Sequence, residues 1–152
     1  PAQAITETGA QKSELDILLQ EADILHIQSP LTPETYHLIG AREISLLKPN
    51  AIITNTARGP ILDEKALYQA LVSGKIAAAG LDDLEEEPAK IRGWKADNPL
   101  IHLPNVIVTP HAAWYSEQAA EEVKRVSSSE IARVLSGQRP LYPVNEPNFG
   151  RN

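Results

Sequence analysis

Three residues of this chain stand apart by the chemistry their side chains offer. Arg58 lies in the string Asn55-Thr56-Ala57-Arg58-Gly59, Glu87 ends the acidic run Glu85-Glu86-Glu87, and His111 closes Thr109-Pro110-His111. An arginine fork can hold a carboxylate through two parallel hydrogen bonds. An imidazole, with an unperturbed pKa of about 6.5, exchanges protons near neutrality. A carboxylate beside it favours the charged ring and fixes its orientation. Reduction of a 2-oxo acid needs a hydride donor, a proton donor for the carbonyl oxygen and a cation for the carboxylate, and this set supplies the last two. Each residue also has a plainer reading. Arg58 beside a glycine suits a solvated loop, the acidic run suits a solvated turn (the reading kept for Glu85 and Glu86), and a lone histidine such as His111 is more often structural. Asp82 reads equally as a cap or turn former.

These residues are brought together only if the chain folds so that the ends of separate segments share one edge. Four apolar runs, at 23–27, 51–54, 76–81 and 106–108, are bounded by breakers, and their starts lie 28, 25 and 30 residues apart, the length of a strand–helix–strand unit. The runs lack polar alternation, which predicts strands buried on both faces of a parallel sheet. Between them, helices are expected over 14–22 with Ser13 as cap, 33–39 with Thr32 as cap and Pro33 at its first position, 41–47, 64–73 with Asp63 as cap and Gly74 as stop, and 117–136 between Ser116 and Gly137. Alternation of this kind implies an α/β fold, a right-handed parallel sheet covered by helices in three layers. Ligands of such sheets bind beyond the carboxyl ends of the strands. There the sequence places Gln28 to Thr32, Asn55 to Gly59, Asp82 with Asp83 and the acidic run, and Thr109 to His111. The remaining histidines are read as bystanders: His26 as a satisfied core residue, His37 on a short helix and His102 in a loop. Residues 83–105 form one long irregular connection, and 138–152, with three prolines, an extended tail.

Composition narrows the function classes. The chain has 152 residues, 42% hydrophobic and 22% charged, with a formal charge of −6 and no cysteine. A net negative surface without a Lys/Arg block argues against nucleic acid as a partner. The lack of cysteine removes disulfides, thiolate nucleophiles and thiolate zinc sites. No apolar run approaches the length of a membrane span and no leader is apparent, so no membrane contact and a cytoplasmic location are expected. Metal-dependent hydrolysis through His111, Asp82 and Glu87 is disfavoured because no second histidine stands at ligand spacing, so no metal is expected. A serine hydrolase would need a G-x-S-x-G turn, which is missing. The chain begins at Pro1 and contains no methionine, which suggests a processed product or a piece of something longer.

The strings SPLTPET, NTARGPILDEKAL, GLDDLEEEP and NVIVTPHAAWYSEQA closely resemble the D-isomer-specific 2-hydroxyacid dehydrogenases, the last being most similar to their C-terminal-binding protein branch. The resemblance runs from about residue 13 to the end of the long helix. It implies a Rossmann-like sheet and an NAD-dependent oxidoreductase acting on the CH–OH group of D-2-hydroxy acids. By resemblance Arg58 binds the substrate carboxylate and carbonyl, His111 is the acid/base and Glu87 orients it. The NAD-contacting positions fall on Ser29, Pro30, Leu31, Thr32 and Thr35, on Thr56, Ala57 and Arg58, on Asp82 at the nicotinamide end, and on His111 and Ala113. Trp114 falls beside the substrate, with a core aromatic as its plainer reading. The family is commonly dimeric, so a homodimer is implied for the complete protein. The C-terminal-binding branch adds a reading from another class, an NAD-sensing co-regulator that binds peptide partners.

The chain also departs from the family pattern. Gln28 stands where a histidine is common, Asp83 where a small apolar residue is usual, and the stretch IRGWKADN carries no transferable contacts. No G-x-G-x-x-G turn occurs. The expectation is therefore the second half of a dinucleotide-binding domain over 1–137 with its first βαβ unit absent, followed by a tail over 138–152. The missing N-terminal portion of the same protein would be its partner, and NAD rather than NADP is favoured by the family alone.

Overall fold

The computed structural model describes residues 8–85 and 97–144 and divides the chain into two compact units, Pro1–Ala113 and Trp114–Asn152. In the first unit the four apolar runs become strands β1 (Ile24–Ile27), β2 (Ile52–Asn55), β3 (Ala78–Leu81) and β4 (Val106–Val108), all parallel and in the order β1-β2-β3-β4. Helices α1 (Leu15–Glu21), α2 (Ala41–Leu46) and α3 (Glu64–Val72) accompany them, with 3₁₀ turns at Gly59–Ile61 and Pro99–His102. The parallel α/β sheet read from the strand spacing is the observed one, and it is Rossmann-like as the resemblance implies.

The core explains the helix positions. Leu25, Ile27, Ile53, Ala79 and Leu81 project from one face of the sheet into a cluster with Leu19 of α1, Ile44 of α2 and Leu67 and Leu71 of α3, all buried. Helix α1 packs on α2, α2 on α3, and α3 on the 3₁₀ turn at Pro99–His102. The strands were expected to be buried on both faces, but burial alternates along them. Ile24 is 62% and Ile107 71% exposed on the opposite face. Strands of three or four residues are too short for their periodicity to distinguish one buried face from two.

Local chemistry sets the helix ends. Asp63 Oδ1 accepts from the Ala66 backbone N–H at 2.9 Å, as a capping carboxylate should. Gly74 stops α3 with a left-handed backbone (φ 71°), and the Lys75 N–H returns to Ala70 O. Two expected features differ. Ser13 does not cap α1, whose N-cap position is Glu14 with no side-chain bond; the Ser13 hydroxyl bonds its neighbour's carbonyl instead. The stretch 33–39 is a set of turns and not a helix, because Thr35 and Tyr36 bond back to Thr32 O and the chain then leaves with His37 at φ 49°. Residues 37–39 then pair with 60–63 through His37 N–H to Pro60 O, Ile39 N–H to Ile61 O and Asp63 N–H to Ile39 O.

The second unit contains α4 (Glu117–Leu135), capped by the Ser116 hydroxyl on Ala119 N–H and ended by Gly137 at φ 77°. Beyond it, the Leu141 N–H bonds Glu130 Oε2 at 2.7 Å. Among the described residues no helix is long and apolar enough to cross a membrane.

The capping bond of Asp63 predicts that Asp63→Ala lowers unfolding stability of this chain by about 1 kcal/mol while Asp63→Asn is close to neutral. Urea titration of the three proteins measures both.

Candidate functional site at the carboxyl edge of the sheet

The parallel register aligns Ile27 with Asn55, Asn55 with Leu81, and Leu81 with Val108, so the residues that follow share one edge. Arg58 therefore follows β2 and His111 follows β4, with only β3 between them. Two strand spacings separate their roots, about 10 Å.

Asp82 is the centre of that edge. Only 4% exposed, it accepts hydrogen bonds from the Thr109 hydroxyl, from Ala112 N–H at 2.9 Å and from Ala113 N–H at 2.9 Å. Burial alone would raise its pKa. The Thr109 hydroxyl, the two backbone donors and the nearby His111 more than offset this, so the carboxyl is held below the ordinary aspartate value. The anchored segment 109–113 turns tightly, His111 N–H bonding Thr109 O at 2.9 Å, and His111 takes a left-handed backbone at φ 52°. A non-glycine residue occupies that region only when its surroundings hold it there. Asp82, expected to face the nicotinamide, is thus also the clamp that sets the histidine's backbone.

Asn55 does the same for the arginine, and the sequence reading did not single it out. Fully buried, it donates from Nδ2 to Arg58 O at 2.8 Å and accepts Ala57 N–H on Oδ1 at 3.0 Å. Its own carbonyl takes Asp82 N–H at 2.9 Å, which couples the two turns. An Asn ending an apolar strand before a turn is the available signal, since its amide can mimic a backbone turn. The Arg58 side chain is exposed, with Nη1 donating to Ala57 O at 2.6 Å. Gly59 beside it is obligatory: a Cβ there would stand 2.1 Å from the Leu84 carbonyl carbon.

The other expected positions divide by role. Ser29, Pro30 and Leu31 form the exit of β1. There the Thr35 hydroxyl donates to Pro30 O at 2.7 Å and accepts Thr32 N–H at 2.7 Å, bracing the turn. The Thr56 hydroxyl donates to Gln28 Oε1 at 2.9 Å. Gln28 Oε1 also accepts from His26 Nε2 at 2.8 Å, which leaves His26 Nδ1 to accept the Thr54 hydroxyl at 2.7 Å. His26 is satisfied, as expected, but on the exposed sheet face and not in the core. Asp83, read as an extra charge near the site, is buried. His37 was read as standing beside no other candidate and Glu85 as a solvated turn residue; instead they meet at 2.5 Å. Glu87 lies outside the described residues. Trp114 belongs to the second unit, 59% exposed and edge-on to Tyr115 with ring centroids 5.5 Å apart.

The lowered pKa of Asp82 fixes a sign. Its contribution to stability is fully present above the unfolded aspartate pKa of about 3.9 and is lost as pH falls through the lower folded value. Wild-type chain is therefore expected to lose more stability between pH 6 and pH 3 than Asp82→Asn does. Urea midpoints of both proteins at the two pH values check this.

Comparison with known proteins agrees with the fold. Residues 1–113 match the family model described as D-isomer specific 2-hydroxyacid dehydrogenase, NAD binding domain. The D-3-phosphoglycerate dehydrogenase of Methanocaldococcus jannaschii is 47% identical over 136 residues, 90% of this chain and 25% of that protein. A glyoxylate reductase of Korarchaeum cryptofilum is 39% identical over 140 residues, 92% of this chain and 41% of that protein. Among solved structures, a D-lactate dehydrogenase with NAD+ from Lactobacillus jensenii superposes with a TM-score of 0.83 at 32% identity, covering 92% of this chain and 44% of that one. The chain thus spans less than half the length of these relatives. With a four-stranded parallel sheet, the Arg58 and His111 turns on its carboxyl edge and the family match over 1–113, the chain belongs to the D-isomer specific 2-hydroxyacid dehydrogenases, as part of their NAD binding domain.

Proposed function

We propose that the protein containing this chain is an NAD-dependent oxidoreductase that interconverts a D-2-hydroxy acid and its 2-oxo acid. The observation that carries the proposal is the shared edge: two braced and coupled turns, one carrying Arg58 and one His111, follow β2 and β4 with the Asp82 clamp between them. Arg58 receives the substrate carboxylate and carbonyl oxygen, for which a planar fork is suited. His111 gives its proton to the carbonyl oxygen on reduction and removes it from the hydroxyl on oxidation. Glu87 has the role of favouring the charged imidazole.

The residues present suit the nicotinamide end of a dinucleotide better than its phosphates. Ser29 to Thr32, Thr56 to Arg58, Asp82 and His111 to Ala113 lie on the carboxyl edge, where such ligands bind. The chain has no G-x-G-x-x-G turn to cradle a pyrophosphate. NAD, when bound, supplies or accepts the hydride. A separate upstream portion of the same protein is proposed to provide the phosphate cradle, in a cytoplasmic homodimer.

Two outcomes follow. The 152-residue chain alone is expected to show no NADH-dependent reduction of glyoxylate, pyruvate or hydroxypyruvate, as followed at the NADH absorbance band. Full-length protein is expected to reduce at least one, with His111→Ala lowering kcat by about 10²–10⁴-fold. Turnover by the chain alone refutes the division of labour, and an inactive full-length protein refutes the enzyme reading in favour of a co-regulator.

A further inference from the structure

We infer that Glu85, outside the expected catalytic set, is a positioning residue for Arg58; the inference rests on the substrate-binding role proposed for Arg58 above. The Gly59 backbone, one residue after Arg58, lies directly on the Leu84–Glu85 backbone. A Cβ on Gly59 would stand 2.2 Å from Leu84 O and 2.5 Å from Glu85 N, so nothing larger than hydrogen separates the two segments. Any shift of residues 84 and 85 is therefore passed to the arginine turn by hard contact.

Glu85 is held at both its backbone and its side chain. Its N–H donates to Glu64 Oε1 at the start of α3, and Glu64 Oε2 also accepts from Asn98 Nδ2 at 3.0 Å. Its own carboxylate accepts from His37 Nε2 at 2.5 Å, with longer contacts from the Tyr36 hydroxyl and the Glu64 N–H, both 3.4 Å. Tyr36 stacks on the His37 ring with centroids 4.1 Å apart. His37 then turns back on the arginine turn from the other side, its N–H donating to Pro60 O at 2.8 Å. The contacts form a closed ring running from Glu85 to His37, to Pro60, through Gly59, and back to Leu84 and Glu85. Gly59 and Pro60, the two residues that follow Arg58, are members of that ring.

The His37 backbone supports this reading. Its φ of 49° is a conformation that a non-glycine residue keeps only under external constraint, and the Glu85 bond is one such constraint. The pair is partly buried, the His37 side chain 32% and the Glu85 side chain 25% exposed, so solvent screens it less than a surface ion pair. The ring gives the pair geometric work, setting where the guanidinium is presented on the carboxyl edge.

The test uses the full-length protein, the 2-oxo acid it reduces best and NADH. Glu85→Ala is expected to raise KM for the oxo acid about tenfold, while kcat stays within about twofold. Glu85→Gln, which keeps an oxygen for the His37 N–H, is expected to restore most of the loss. His37→Ala, which removes the other side of the ring, should reproduce the KM defect, so the inference stays testable if Glu85→Ala does not fold. An unchanged oxo-acid KM in a folded Glu85→Ala or His37→Ala protein, whatever its melting temperature, overturns the inference and leaves the enzyme reading standing. A wild-type protein that reduces no 2-oxo acid overturns both.

Discussion

The structure depends on a buried carboxylate placed where three strands end. Asp82 leaves β3 into an environment that disfavours charge, yet remains below its ordinary pKa because a hydroxyl and two backbone N–H groups converge on it. Those donors come from residues 109, 112 and 113, so the condition for burying the charge is that the turn after β4 folds back over β3. The left-handed backbone of His111 follows from that condition. A non-glycine residue keeps that conformation only where its surroundings hold it, and the Asp82 bonds to the Ala112 and Ala113 N–H groups hold the turn directly after it.

The same logic recurs one strand away, with a neutral group. Asn55 is buried at the end of β2 and satisfies both of its amide functions on the turn that carries Arg58. Its main chain passes the constraint on through the Asp82 N–H. The arginine and histidine turns are thus two readouts of one hydrogen-bonded seam along the sheet edge. An amide suits the first position because the turn offers one carbonyl and one N–H; an ionised carboxylate suits the second because that turn offers only donors.

Much of this was legible from residue order, and the exceptions share a cause. The strands were found because clustered Ile, Val and Ala residues between breakers report burial, and the caps Asp63 and Ser116 because short polar side chains before an apolar stripe have one common use. Arg58 and His111 stood out because each follows a strand in a parallel sheet. The 33–39 stretch was misread because Thr32-Pro33 starts a helix and a tight turn equally well, and a hydroxyl three residues on, Thr35, decided for the turn. His37 and Glu85 were set aside because their meeting spans 48 residues of sequence, and no local pattern encodes a contact of that range. Asn55 was passed over because it resembles any turn former until its burial is known.

The alternation of burial along the strands bears on what the sheet is for. A parallel sheet is ordinarily covered on both faces, since its backbone and aliphatic side chains gain little from water. Here one face holds the core, while the other presents Ile24, Ile107 and a polar relay from Thr54 through His26 and Gln28 to Thr56. That relay leads along the open face to the edge where Thr56 and Arg58 sit. A fully apolar face would favour indiscriminate collapse, whereas a hydrogen-bonded row of four side chains requires an incoming surface to match it. Among the described residues β1 forms one edge of the sheet, and an edge strand offers a row of N–H and C=O groups to a further strand.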